Sequence, residues 1–136
     1  EEVMTLIKKY DLESRTIVLT NVPEDALYEF YALADVYVSP TLHDDFIMSI
    51  QEAMAVGLPI VSTGQKILVH EGKNGFVVPK RDPNSIASAI QKLYNETLRT
   101  KMKVESQKIV KNYDFAEIAK SAVKLYEELI STNKHC

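Results

Sequence analysis

Residues 33–63 read LADVYVSPTLHDDFIMSIQEAMAVGLPIVST, and the order of their patterns decides the fold. The apolar run at 36–38 ends just before Pro40, which predicts a short buried strand. A second apolar run, at 60–61, follows Pro59 and predicts another strand. Because a helical pattern separates the two runs, the stretch predicts a strand–helix–strand unit of a parallel sheet.

The helix is indicated by a change of period over residues 46–56. Ile50, Ala53, Met54 and Gly57 lie at positions i, i+3, i+4 and i+7, which is one face of a helix. Gly57 then ends the helix. The unit leaves a polar loop and a helix N-terminus at the carboxyl edge of the sheet, where open α/β folds bind ligands.

Two acidic residues flank the start of this helix. Glu52 lies two positions after Ile50, about 200° around a helix that turns 100° per residue, so we expect it to point away from the apolar face. Asp44 stands eight positions before Glu52, in the loop above the first strand. The two carboxylates are placed to bracket a polar ligand. The same spacing is also consistent with a solvated Glu and an ordinary loop Asp. Most acidic residues have no functional role, so this alternative stays open.

The stretch resembles the C-terminal donor-binding domain of retaining GT-B glycosyltransferases of the group 1 type. The pattern of that family has an acid, usually Glu, followed by Gly-Phe-Gly and by a second Glu eight positions after the first. It lies in a context like ADVFV-P-S…EGFG…EAMA-GLPVV. The matching segments here are ADVYVSP at 34–40, EAMAVGLPIV at 52–61 and EGKNGFVVP at 71–79. Together with the DP pair at 82–83, they extend the likeness over roughly residues 16–130.

By this resemblance, residues 1–136 form a single, partial nucleotide-sugar-binding domain with a Rossmann-like α/β fold, a parallel sheet with flanking helices. The full enzyme, of the hexosyltransferase type, would transfer a sugar from a nucleoside-diphosphate sugar to an acceptor with retention. That donor is a co-substrate, and neither a cofactor nor a metal is expected. The acceptor, a glycan, lipid or protein, would be held by an N-terminal domain missing before Glu1. We therefore expect the isolated chain to be inactive.

The resemblance also assigns the site residues. Glu52 would hydrogen-bond the ribose hydroxyls of the donor, and Asp44 would be the catalytic acid beside the transferred sugar. Asp45, Phe46 and Ile47 would bind the nucleotide sugar, with backbone N–H groups facing its diphosphate at the helix N-terminus. The chain departs from the family pattern here, because Asp44 replaces the usual Glu while Asp45 and Ile47 replace two glycines. Glycine lets the backbone approach a phosphate closely, and an Asp repels it.

Composition excludes several other classes. A net charge of −3 and a pI near 5.6 argue against a nucleic-acid partner. No apolar run approaches the roughly 20 residues that a transmembrane segment needs. We find no secretory leader, and the single cysteine, Cys136, fits a reducing compartment. We therefore expect a cytoplasmic protein, either free in the cytoplasm or at the cytoplasmic face of the membrane. His43 and His70 have no further His or Cys at ligand spacing, which argues against a metal site.

The rest of the chain supplies further elements. The β-branched run at 16–20 predicts a strand, and the run at 76–78 predicts another. In the doubly wound order 3-2-1-4-5-6, two missing strands would lie between the strand at 16–20 and the strand at 36–39. Unpaired edges invite association, so we expect a homo-oligomer as one way to complete the sheet. Helices are predicted near both termini, after Pro23, from the DP pair at 82–83, and over about 96–111.

Two other function classes stay open. A non-catalytic relative retained for protein contacts is consistent with Asp45 and Ile47 at the glycine positions. A phosphoacceptor switch of the receiver type is suggested by the acidic pair at 44–45 together with Thr63 and Lys80. It lacks a further Asp at the end of a middle strand.

Overall fold

The computed structural model describes residues 2–43 and 47–132. Within these ranges, six α-helices surround three short strands. In chain order they are α1 (Glu2–Lys9), α2 (Glu24–Leu33), β1 (Tyr37–Ser39), α3 (Ile47–Ala55), β2 (Ile60–Ser62), β3 (Gly75–Val77), α4 (Pro83–Lys92), α5 (Glu96–Val110) and α6 (Phe115–Thr132), with 3-10 turns at Glu13–Arg15 and Lys111–Tyr113.

The three strands form one parallel sheet in the order β1-β2-β3. Tyr37 pairs with Ile60, and Ile60 pairs in turn with Gly75 on its other side. The helix α3 forms the crossover between the first two strands, as parallel pairing requires. The predicted Rossmann-like α/β fold with flanking helices is therefore confirmed.

The central strand β2 is buried on both faces. Ile60 and Val61 are both 0% exposed, and because successive side chains alternate, they enter two different apolar clusters. Ile60 packs with residues of α2 and α3, among them Tyr31 and Met54. Val61 packs with Phe76 of β3, with Ala89 of α4 and Leu93 just after that helix, and with Met102 of α5. This double cover is typical of parallel sheets.

The end of α3 follows the predicted stop at Gly57. Gly57 has a φ of +91°, its N–H donates to the Met54 carbonyl at 3.0 Å, and the Leu58 N–H donates to the Ala53 carbonyl at 2.9 Å. This pair of bonds is the Schellman motif, which closes a helix and satisfies its last carbonyl groups. The chain then turns directly into β2, so the motif fixes how α3 lies on the sheet.

The strand predicted at residues 16–20 is wrong for this structure. Thr16 has an extended backbone, with φ −127° and ψ 129°, yet residues 16–20 lie outside the sheet. Ile17 is 85% exposed. Extended β-branched residues become a strand only when a neighbour accepts their backbone hydrogen bonds, and the described part of the chain offers them none.

The last helix forms as predicted but is not covered. Asp114 caps it, because the Ala116 N–H donates to Asp114 Oδ1 at 2.8 Å. Its apolar residues face solvent within the described chain, where Phe115 is 84% exposed and no residue of α6 is buried.

Candidate functional site

The carboxyl ends of the strands form the edge where the site is predicted. The loops after β1 and β2 are tied together there by Thr63. Its N–H donates to the Ser39 carbonyl at 3.2 Å, and its hydroxyl donates to the Thr41 carbonyl. Thr63 thus anchors the first residues of the loop that leads from β1 towards α3.

Of the predicted site residues, Ile47 and Glu52 fall within the described ranges. Asp44, Asp45 and Phe46 lie outside the described residues. Ile47 is the first residue of α3, and its side chain is 40% exposed. The N-terminus of α3 therefore opens at the carboxyl edge of the sheet, as the strand–helix–strand pattern predicts.

Glu52 lies at the boundary between the core and the surface. Its neighbours Ile50, Ala53 and Met54 are 0% exposed, whereas Glu52 is half-buried. The hydroxyl of Tyr31, on α2, donates to Glu52 Oε2 at 3.1 Å. The carboxylate therefore stands beside the apolar face of α3 rather than within it, and one of its oxygens has a protein partner.

Tyr31 suits this contact because its ring is fixed. The side chain is only 9% exposed and belongs to the same apolar cluster as Ile50 and Met54. Burial raises the pKa of Tyr31 well above its ordinary value, and the hydrogen bond to Glu52 raises it further. Tyr31 therefore remains a protonated donor throughout the neutral range.

A second tyrosine, next to Tyr31, also bonds to α3. The Tyr37 hydroxyl, on β1, donates to Ser49 Oγ at 2.9 Å. The rings of Tyr31 and Tyr37 are in contact, with their centroids 5.9 Å apart and their planes at 59°. Two phenol hydroxyls thus connect α3 to α2 and to β1.

Basic residues gather farther along the same edge, beyond β2 and β3. Thr63, Lys66 and Lys80 line an open hollow of about 480 Å³ there. The structure therefore brings together Thr63 and Lys80, which the receiver interpretation needs, and it also places positive charge where a phosphate would be attracted. The acidic pair at 44–45, which the same interpretation requires, falls outside the described residues.

Within residues 2–43 and 47–132, no group of three or more His, Cys, Asp and Glu side chains could hold a metal ion. None of the helices in these ranges combines the length and the apolar character needed to cross a membrane.

Comparison with known proteins decides the family. The model of the family "Glycosyl transferases group 1" matches residues 1–96. The chain belongs to this family. Over 111 residues it is 33% identical to D-inositol 3-phosphate glycosyltransferase from Corynebacterium urealyticum, a match that covers 79% of this chain and 26% of that protein. For the corresponding enzyme from Corynebacterium jeikeium the identity is 30%, covering 95% of this chain and 32% of that protein.

Solved structures of GT-B enzymes match this group 1 chain in fold. Sucrose-phosphate synthase from Thermosynechococcus elongatus superposes with a TM-score of 0.85 at 26% identity, covering 96% of this chain and 34% of that one. Anabaena HepE, solved in complex with UDP, gives a TM-score of 0.78 at 25% identity, covering 96% of this chain and 36% of that one. The resemblance to the C-terminal domain of GT-B glycosyltransferases is confirmed. The chain spans about a quarter to a third of the length of the curated relatives named above.

Tyr31 is the residue beside the candidate site that the sequence did not identify. Helical spacing places it on the apolar stripe of α2, which its burial agrees with. Its bond to Glu52 joins residues 21 positions apart and depends on how α2 and α3 pack, which no local sequence pattern specifies. The only hint of this hydrogen bond in the sequence is a tyrosine at a core position of α2, because a buried hydroxyl needs a partner.

Proposed function

We propose that the chain, residues 1–136, is the donor-binding domain of a retaining glycosyltransferase that takes its sugar from a nucleoside-diphosphate sugar. The observation that carries this proposal is the placement of Glu52, half-buried on α3 five positions after Ile47, the first residue of that helix. Membership of the group 1 family supports it. So does the likeness to Anabaena HepE, which was solved with UDP and with UDP-glucose.

The two ends of the donor would meet α3 at different points. The N-terminus of a helix presents unpaired N–H groups and a positive dipole end, so Ile47 and the turn before it would face the diphosphate. Glu52 lies five positions farther along, or about 7.5 Å at 1.5 Å per residue, which is within reach of the attached ribose. One short helix would thereby hold both groups.

The chemical roles are those that the family resemblance implies. Asp44 would lie beside the transferred sugar, and Asp45 and Phe46 would complete the turn that receives the diphosphate. Developing charge on the leaving diphosphate would be stabilised electrostatically, with positive charge from Lys66 and Lys80 close to the same edge. The acceptor, a glycan, lipid or protein, would be bound by another part of the full enzyme, so the 136-residue chain alone would turn over little or no substrate.

Isothermal titration of the chain with UDP, GDP and their sugars tests this function. We expect binding to one nucleotide series, and we expect Glu52→Ala to weaken it about 10- to 100-fold, since a hydrogen bond to a charged group contributes about 1.5–3 kcal/mol. Gln51→Ala, at the preceding residue of α3, which is also half-buried, is the matched control and should bind as the parent chain does. Failure of every nucleotide to bind, or equal affinity in Glu52→Ala, would overturn the proposal.

A non-catalytic role in protein contacts is the second candidate. The exposed apolar residues of α6 favour it, because long apolar helix faces in water commonly mark contact surfaces. If this is the function, none of the nucleotides or nucleotide sugars binds in the titration.

A further inference from the structure

One hydrogen bond joins the donor-site candidate Glu52 to a side chain outside its own helix. Tyr31 Oη donates to Glu52 Oε2 across 3.1 Å, from α2 to α3. The Tyr31 ring cannot swing away, since it is packed in the core with Ile50 and Met54 and is 9% exposed. The donor end of the bond is therefore fixed by packing.

The acceptor end gains a fixed orientation from this contact. A glutamate on a helix surface samples several rotamers, and ordering such a side chain on binding costs free energy. A carboxylate has about four lone-pair positions, so accepting one bond from Tyr31 leaves Glu52 able to accept from two ribose hydroxyls. The contact thus restrains the Glu52 side chain and leaves acceptor positions of its carboxylate available.

We infer that Tyr31 is a positioning residue that holds the Glu52 carboxylate in the orientation that receives the ribose hydroxyls of the donor. This inference rests on the proposed function. It adds a residue from α2 to a site whose described members, Ile47 and Glu52, lie on α3. Tyr31 acts through Glu52 and does not itself contact the nucleotide.

The neighbouring tyrosine supplies a matched control. Tyr37 also donates its hydroxyl to α3, but to Ser49 Oγ at 2.9 Å, and it packs against Tyr31. Tyr37→Phe therefore removes the same chemical group from the same cluster while leaving the Glu52 contact in place. A general loosening of α3 would follow from either substitution, whereas a loss of ribose positioning would follow from Tyr31→Phe alone.

The experiment compares UDP and GDP with their 2′,3′-dideoxy analogues, which lack the ribose hydroxyls. Affinities are measured by isothermal titration for the parent chain and for Tyr31→Phe, Tyr37→Phe and Glu52→Gln, with circular dichroism to confirm that each is folded. For the nucleotide that binds, we expect Tyr31→Phe to weaken the hydroxyl-bearing form about three- to tenfold, the effect of one net hydrogen bond, and to leave the dideoxy form unchanged. Tyr37→Phe should leave the ratio of the two affinities as it is in the parent chain.

The outcomes separate the inference from the function beneath it. If Glu52→Gln alters the ratio of the two affinities and Tyr31→Phe does not, the donor site stands and the positioning role is overturned. An equal loss for both forms of the nucleotide in Tyr31→Phe also overturns it, because that is the signature of general loosening. If Glu52→Gln leaves the ratio unchanged, or nothing binds the parent chain, the proposed function and the inference fall together.

Discussion

Gly75 lies so close to Ile60 that a Cβ atom on it would stand 1.9 Å from the Ile60 carbonyl oxygen. The two residues pair directly across β2 and β3. Glycine is therefore required here by contact between backbones rather than by an unusual φ.

Substitution of Gly75 by alanine should destabilise the sheet strongly. The added methyl group meets backbone that can only yield if the strands separate, so we expect a loss of about 3 kcal/mol or more in the free energy of unfolding. Gly72→Ala is the control, because its Cβ would meet nothing within 4 Å and only its φ of +73° is unfavourable. That variant should lose about 1–2 kcal/mol. Urea unfolding measures both, and equal losses would contradict the prediction.

The loop before β3 should depend for its stability on the polar side chain of Asn74. It is 0% exposed, accepts from the His70 N–H at 2.7 Å and donates to the Leu68 carbonyl at 2.9 Å. Asn74→Ala leaves both backbone groups without their partner, which we expect to cost about 2–4 kcal/mol. Chemical unfolding of this variant and of Asn84→Ala, an exposed asparagine on α4, makes the comparison. Similar stability of the two variants would refute the role.

The cap of α4 should make stability depend on acid pH. Asp82 accepts hydrogen bonds from the hydroxyl and the N–H of Ser85, and these hold the pKa of Asp82 below its ordinary value. Since the pKa is lower in the folded state, the contribution is complete above the unfolded value of about 4 and is lost as pH falls through the folded value. The difference in Tm between the parent chain and Asp82→Ala should shrink below about pH 4.

Asn95 provides the control for that titration. It caps α5 by accepting from the Leu98 N–H at 3.0 Å, and its amide does not ionise. The Tm difference for Asn95→Ala should therefore stay constant over the same pH range. A parallel decline in both variants would show that the Asp82 carboxylate is not the group responsible.

For Tyr31 the dependence of stability on pH has the opposite sign and appears at alkaline pH. Burial raises its pKa in the folded state above the unfolded value of about 10, so its stabilising contribution is present below about pH 10 and is lost as the pH rises further. Tyr31→Phe should be less sensitive than the parent chain to unfolding between about pH 10 and 11. Thermal unfolding across that range checks this, and identical pH profiles would contradict it.

Local patterns were sufficient to predict most of the elements. The helical spacing around Ile50 and the stop at Gly57 gave α3, and the DP pair at 82–83 gave the start of α4 with its cap. These features depend on residues a few positions apart, where side-chain period and capping chemistry act directly.

Features that depend on distant partners were not predictable in this way. Residues 16–20 have the composition of a strand, but pairing needs a neighbour that the described chain does not supply. The bond from Tyr31 to Glu52 and the burial of Asn74 likewise follow from how separate elements meet. For the candidate site, the position of Glu52 on α3 followed from helical spacing, and its role came from the family resemblance and stays a prediction.

The most direct test of the donor site is a crystal structure of the chain grown with the nucleoside-diphosphate sugar that binds best in titration. The proposed function predicts density for the diphosphate at the N-terminus of α3, with Glu52 oxygens within about 2.6–3.2 Å of the ribose hydroxyls. An empty pocket, or a donor bound with its ribose away from Glu52, would contradict it.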